Sequence, residues 1–226
     1  MILDIDRLSG RFKSAPWYEG CKNDTIYLVG LGGIGSNFLY TATKTLPCKF
    51  ILQDMDTVDE ENVFTQWFNQ GDIGAKKVTA CINNVQRSNP SFNPLPATSP
   101  YNNSYRPIMV AALDNMATRK QMFDVWKESS NKELFIDARL RAEFYEVFVV
   151  TPDRVEDYEK TLFNDNEIES APCTYKATSY FGMLCGARIT HVLTNYFANK
   201  YSEDKAYALP FEIREFGNLM YFETKD

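Results

Sequence analysis

The stretch IYLVGLGGIGSNFL, residues 26–39, limits what this chain can fold into more than any other part of it. The apolar run Thr25–Val29 has the length and composition of a buried strand. Gly30, Gly32 and Gly35 follow in a G-x-G-x-x-G spacing. From about Gly33 to Thr45 the apolar residues Ile34, Phe38, Leu39 and Ala42 recur on one face of a helix. A second apolar run, Lys49–Asp54, reads as another strand. Strand, helix and strand in so short a span make a right-handed βαβ unit with parallel strands. Glycine permits the positive φ and close backbone approach that a phosphate needs, and the helix N-terminus adds partial positive charge. The loop is therefore expected to cradle a nucleotide. Gly33 is an extra glycine that the NAD fingerprint does not require. On the loop alone, NAD, ATP and a plain tight turn all remain open.

The pattern continues for about another hundred residues. Asp72 is placed to cap a helix running to about Ser88, with Val78, Cys81, Ile82 and Val85 inward. The Pro-broken stretch 89–100 holds at most a short strand. Pro107–Leu113 and Glu133–Ala138 read as buried strands, separated by a helix whose apolar stripe includes Met116, Met122, Phe123 and Trp126. After about residue 140 the period changes. Glu143–Val150 alternates as an antiparallel strand does, and a helix is expected near Val155–Phe163. A long helix, Ala177–Tyr201, comes next, then two strands joined at Gly217-Asn218. The expected fold is α/β: a Rossmann-like, doubly wound, mostly parallel sheet with a C-terminal antiparallel extension. Residues 1–226 are read as a single domain, with 1–140 as the nucleotide-binding core and 141–226 as the extension and long helix.

Composition narrows the partners. The formal charge of −6, with lysine and arginine scattered, is unlike a nucleic-acid binder. No apolar run is long enough to span a membrane and the start does not resemble a signal peptide, so a cytoplasmic protein is expected. The five cysteines include no C-x-x-C pair, which excludes a zinc ribbon, and an odd count suits a reducing compartment. The single histidine, His191, argues against histidine-rich metal sites and a Ser-His-Asp triad. It is read as a packing residue on an apolar helix.

The residues beyond the loop bear on the choice between nucleotides. Asp54 ends the second strand, where an acid accepts ribose hydroxyls in NAD and ATP sites alike. Asp56, two residues on, points the same way along an extended chain, unless the pair is only a solvated turn. Asn62, Gln66, Lys76, Lys77 and Asp114 follow. A departing pyrophosphate develops charge that a lysine and an amide stabilise, whereas hydride transfer from NAD needs neither. Asp114 ends the third long strand at the carboxyl edge shared with Gly30 and Asp54. A carboxylate there can hold Mg²⁺, or it can simply cap the helix that begins at Asn115.

VGLGGIGS, DMDTVDEENVFTQ, GDIGAKKV, ALDN and FIDARLRAEFYEV occur in an order and spacing that resemble the ThiF/MoeB/ubiquitin-activating-enzyme superfamily. The resemblance covers residues 25–150 well and 173–201 loosely. It implies a protein that binds ATP and Mg²⁺ and adenylates the C-terminal carboxylate of a carrier protein or peptide. It implies that Gly30, Gly32, Gly33 and Gly35 carry the nucleotide, with Asp54 at the ribose and Asn115 beside Asp114; Asp56 and Gln66 are further candidate cofactor-binding residues. Asn62 and Lys77 would contact the phosphates, and Asp114 would hold the metal. One position departs: the family reads N-x-x-R-Q, and Thr65 stands where that arginine should be. Arg7 or Arg11, reaching across a homodimer, would compensate; otherwise the chain would be a non-catalytic nucleotide-binding scaffold of the same fold. Cys173 matches a loop cysteine that accepts the acyl group or sulfur in some members, and equally fits an inert residue. Arg139 and Arg141 would lie near the substrate tail, or serve as surface ion-pair partners. The aromatic loop with Phe64, Trp67 and Phe68 is expected to be an exposed contact surface of the dimer. An NAD-dependent oxidoreductase would leave Asn62, Lys77 and Asp114 unexplained.

Overall fold

The computed structural model describes residues 10, 12–164, 179–203 and 206–226. Strand β1 (Thr25–Val29) and β2 (Lys49–Gln53) pair in parallel, Ile26 beside Phe50 and Leu28 beside Leu52, with helix α1 (Gly35–Thr45) crossing between them. Next come the short helix α2 (Asn62–Thr65), α3 (Lys77–Gln86) and the brief edge strand β3 (Leu95–Ala97). Then follow β4 (Ile108–Ala111), α4 (Met116–Lys127), β5 (Leu134–Arg141), β6 (Phe144–Val150), α5 (Val155–Glu159) and α6 (Ser179–Tyr201). The chain closes with β7 (Glu212–Phe216) and β8 (Tyr221–Lys225). One eight-stranded sheet runs β3-β2-β1-β4-β5-β6-β7-β8. It is parallel from β3 through β5 and antiparallel from β5 through β8. This is the expected doubly wound sheet with its antiparallel extension.

Both faces of the central parallel strands β1, β4 and the first part of β5 are buried, which is why they read as continuous apolar runs. Ile26 and Leu28 face α1, α3 and α6, among Phe38, Val78, Cys81 and Ile189. Tyr27 and Val29 face α4 and α5, among Phe123, Trp126 and Tyr158. Burying a side chain such as Leu28 or Phe123 contributes about 1.5–3 kcal/mol.

Helix α6 lies against α1 because it carries glycine where the two backbones meet. A Cβ on Gly182 would come within 2.6 Å of the Gly33 carbonyl oxygen, and one on Gly186 within 2.5 Å of the Phe38 nitrogen. At its far end α6 is tied to the opposite edge of the sheet. Lys200 bridges Asp24 (2.8 Å) and Glu133 (2.6 Å). The long helix thus connects the strand N-termini to the glycine loop.

Four local expectations are corrected. Asp72 does not cap α3, whose N-cap is Lys76. Instead Asp72 accepts from the Asn69 N–H and from Asn84 Nδ2, both at 2.8 Å, closing a capping box on the 3₁₀ turn Gln70–Asp72. The intervening turn, with Gly74 at φ +84°, moves the helix start on. His191 is exposed, because the buried stripe of α6 runs through Cys185, Ile189, Val192 and Leu193 and leaves it on the solvent side, near Arg188. The helix near Val155–Phe163 is only Val155–Glu159. In the aromatic loop only Phe64 is well exposed, at 84%; Phe68 is buried and Trp67 packs at a tilt against Tyr40. Among the described residues no helix is long and apolar enough to cross a membrane.

Candidate functional site

The four glycines of the loop divide into two pairs. Gly30 has φ +91°, and a Cβ on it would sit 2.3 Å from the Ala112 carbonyl oxygen. A Cβ on Gly35 would sit 1.9 Å from the Gly30 carbonyl oxygen. These two allow α1 to start hard against β1 and β4. Gly32 and Gly33 are different. The nearest atom to a Cβ on Gly32 is Gln66 Nε2 at 4.0 Å; on Gly33 it is the Thr65 carbonyl oxygen at 3.7 Å, with Leu140 Cδ2 at 3.8 Å. This pair leaves an open backbone cradle, bounded by Thr65, Gln66 and Leu140.

Buried Ser36 joins that cradle to the segment after β2. Its hydroxyl donates to the Gly32 carbonyl (2.6 Å) and accepts from the Trp67 N–H (3.0 Å). Sequence reasoning missed Ser36, although it is the last residue of the VGLGGIGS motif. Gln66 beside it has a buried Oε1 with no hydrogen-bond partner. An unsatisfied buried acceptor costs about 1–3 kcal/mol, so a donor arriving on a polar ligand would be favoured there.

Asp54 is built into the loop. Its Oδ2 accepts from the Leu31 N–H at 2.7 Å and its Oδ1 from the Asp56 N–H at 2.8 Å. Each oxygen keeps a second lone pair for a ribose hydroxyl. Asp56 pairs with Lys77 Nζ at 3.0 Å, and the Lys77 N–H returns to the Asp56 carbonyl, also at 3.0 Å. Lys77 is largely buried, so its ammonium is held at this edge, whereas exposed Lys76 bonds the Met55 carbonyl. Asn62 spends its Oδ1 on the Asp59 N–H at 3.0 Å.

Asp114 is exposed just past the end of β4, the strand beside β1, and among the described residues its hydrogen-bond partner is Asn115 Nδ2 at 3.4 Å. The reading of Asp114 as a helix cap is overturned: Asn115 caps α4, its Oδ1 accepting from the Thr118 N–H at 2.8 Å. Among the described residues no group of three or more His, Cys, Asp or Glu could hold a metal. A single exposed carboxylate at this edge of the sheet nevertheless suits Mg²⁺, which binds through one or two carboxylates plus substrate phosphates. The residues therefore fit both ATP and its metal.

Contacts thus join the glycine loop, Asp54, Asp56, Lys77, Thr65 and Gln66, and the sheet brings Asp114 to the same edge. Arg139 does not join them. It is ion-paired to buried Asp137 at 2.7 Å and bonds the Thr161 carbonyl at 3.1 Å, while Arg141 is exposed. Burial pushes the Cys81 and Cys185 thiols well above their ordinary range, so both are apolar core residues rather than nucleophiles. Arg7, Arg11 and Cys173 lie outside the described residues.

The model of the ThiF family matches residues 10–216. Among solved structures, E. coli MccB with SeMet MccA superposes with a TM-score of 0.76 at 16% identity, over 99% of this chain and 72% of that one. E. coli MccB with ATP gives a TM-score of 0.68 at 14% identity, over 91% and 64%. SeMet PaaA gives 0.71 at 11% identity, over 93% and 66%. The chain spans 63% of the length of another E. coli MccB structure, so it accounts for only part of such a protein. No curated protein is significantly similar in sequence.

Proposed function

This chain belongs to the ThiF family, and we propose that it is an ATP-dependent adenylyltransferase whose acceptor is the C-terminal carboxylate of a peptide or carrier protein. The observation that carries this reading is the open Gly32–Gly33 backbone with Asp54 and Lys77 at the same edge of the sheet. A peptide acceptor is supported by the similar fold of E. coli MccB, solved with MccA.

In this scheme the acceptor carboxylate attacks the α-phosphate and pyrophosphate leaves. A carboxylate is already ionised at pH 7, so no general base is required. Catalysis is positioning and charge stabilisation. The glycine loop presents backbone N–H groups and the N-terminus of α1 to the phosphates. Asp54 orients the ribose, Lys77 stabilises charge on the leaving pyrophosphate, and Asn62 assists it. Magnesium, held by Asp114 together with phosphate oxygens, would neutralise part of that charge. On the family resemblance alone, Cys173 is the proposed acceptor of the acyl group: its thiolate would attack the acyl-adenylate carbonyl, forming a thioester as AMP leaves.

Calorimetric titration tests the reading. ATP with Mg²⁺ is expected to bind at least about tenfold more tightly than NAD, a difference of roughly 1.4 kcal/mol. Tighter binding of NAD would overturn adenylation in favour of redox chemistry.

A second reading, a nucleotide-binding scaffold without catalysis, is favoured by one observation. Thr65 lies beside Gly33, but its Oγ1 bonds the Glu61 carbonyl at 3.0 Å and brings no charge to the cradle. A missing charge-assisted contact in a catalytic site costs on the order of 3 kcal/mol, about a hundredfold in rate. ATP–pyrophosphate exchange by the wild type is therefore expected to be slow unless Arg7 or Arg11 of a second subunit of a homodimer enters the site. Thr65→Arg is expected to raise exchange by up to about a hundredfold. A wild type without exchange, left unchanged by Thr65→Arg, supports the scaffold.

A further inference from the structure

We propose that Arg119 is a positioning residue for Asp114, clamping the two carbonyls that flank it and so fixing how its carboxylate meets the metal of Mg·ATP. This rests on the reading above that Asp114 holds that metal.

Arg119 lies on the first turn of α4 and is buried. Its Nε bonds Oδ1 of Asp137 on β5, a carboxylate with no exposed surface. From that anchor the guanidinium reaches back beneath the end of β4. One terminal nitrogen donates to the Leu113 carbonyl at 2.6 Å and the other to the Asn115 carbonyl at 3.5 Å. These are the residues on either side of Asp114. Asp137 is satisfied on its other oxygen by Arg139 Nε at 2.7 Å and the Tyr158 hydroxyl at 2.9 Å.

The clamp matters because the Asp114 side chain has so little else to orient it. Among the described residues its one hydrogen bond, from Asn115 Nδ2, is long at 3.4 Å. Its direction is therefore inherited from the backbone on either side. That backbone has left the sheet: the ladder with β1 ends near Ala112, whose N–H bonds the Val29 carbonyl. A planar fork held at one end can bond two carbonyls at once, whereas a lysine ammonium on a flexible stem is a single point charge. A buried ion pair is weak evidence for stability when compared with an apolar replacement. What this one supplies is geometry at a turn carrying the proposed metal ligand.

The competing account is a plain staple between α4 and β5, and three variants separate the two. Arg119→Lys keeps a positive charge for Asp137 but loses the fork. Tyr158→Phe weakens the same network without touching residues 113–115. Asp114→Ala removes the proposed ligand itself. The first measurement is Mn²⁺ affinity, by electron paramagnetic resonance, in the presence of a non-hydrolysable ATP analogue. The second is metal-free binding of that analogue. Arg119→Lys is expected to weaken Mn²⁺ binding by about 10–100-fold, as removing groups that orient metal ligands typically does, with metal-free binding unchanged. Tyr158→Phe is expected to lower the melting temperature and leave Mn²⁺ affinity at the wild-type value.

If Asp114→Ala loses Mn²⁺ binding and Arg119→Lys does not, the clamp is overturned and the adenylation reading stands. If Asp114→Ala binds Mn²⁺ as the wild type does, the metal role of Asp114 fails, and the clamp with it. Should Arg119→Lys not fold, the double variant Arg119→Gln with Asp137→Asn removes both charges together and is judged by the same outcomes.

Discussion

Replacing Gly35 with alanine is expected to abolish ATP binding and to destabilise the protein by several kcal/mol. The new Cβ would lie 1.9 Å from the Gly30 carbonyl oxygen and 3.3 Å from Ala112 Cβ. The first clash is with backbone, so no rotamer change relieves it and α1 must move off the sheet. That movement pulls on Gly33, whose carbonyl already touches α6 at Gly182. Overpacking of a tight core typically costs about 1–3 kcal/mol, and a backbone clash this severe belongs at or above the upper end. For a chain of this length a loss of about 3 kcal/mol lowers Tm by roughly 6–12 °C. Gly33→Ala is the informative contrast, because a Cβ there meets nothing closer than 3.7 Å. It should leave Tm nearly unchanged and still weaken ATP binding, since the methyl group would project into the cradle. Thermal unfolding and calorimetric titration of both variants check this. If Gly33→Ala binds ATP with wild-type affinity, the phosphates do not lie over Gly33.

Lys77→Ala is expected to reduce ATP–pyrophosphate exchange by about a hundredfold or more while the fold survives. Lys77 has a side chain 9% exposed and its partner Asp56 one that is 54% exposed. Removing the lysine leaves a carboxylate that water can solvate, so the stability cost is that of a weak, half-exposed pair, about 1 kcal/mol or less. The catalytic cost is larger, because a single donor aimed at developing charge is worth about 2.7–4 kcal/mol. Lys76→Ala supplies the comparison. Lys76 is exposed and its Nζ donates to the Met55 carbonyl at 2.8 Å, so loss of its side chain should change exchange little. Initial rates of labelled pyrophosphate incorporation, with melting curves beside them, decide the matter. Equal effects of the two lysine changes would show that the phosphates are bound elsewhere.

How much of this was legible beforehand depends on how far apart the deciding residues are. The unit from Thr25 to Gln53 was, because strand and helix periods and glycine spacing are properties of neighbouring residues. The same holds for the buried runs of β4 and β5 and for the alternating run of β6. The candidate site was legible as a set of residue types, Asp54, Lys77 and Asp114 among them, since ligands gather at the carboxyl edge of such a sheet. Their partners were not. That Asp54 holds the Leu31 N–H, that Ser36 joins the loop to Trp67, and that Asn115 rather than Asp114 caps α4 depend on which donor comes within hydrogen-bond distance. The two glycine pairs look alike in the chain. Only Ala112, just past β4 and some eighty residues away in sequence, makes Gly30 a close-packing position, whereas nothing comes so near Gly33. Gly182 and Gly186 carried no signal in the chain by themselves; their role as the close-approach positions of α6 against α1 is set by the packing. His191 and Phe68 reversed their expected exposure for the same reason. Local pattern assigns a residue to a helix or loop, whereas burial is decided by what the rest of the chain brings against it.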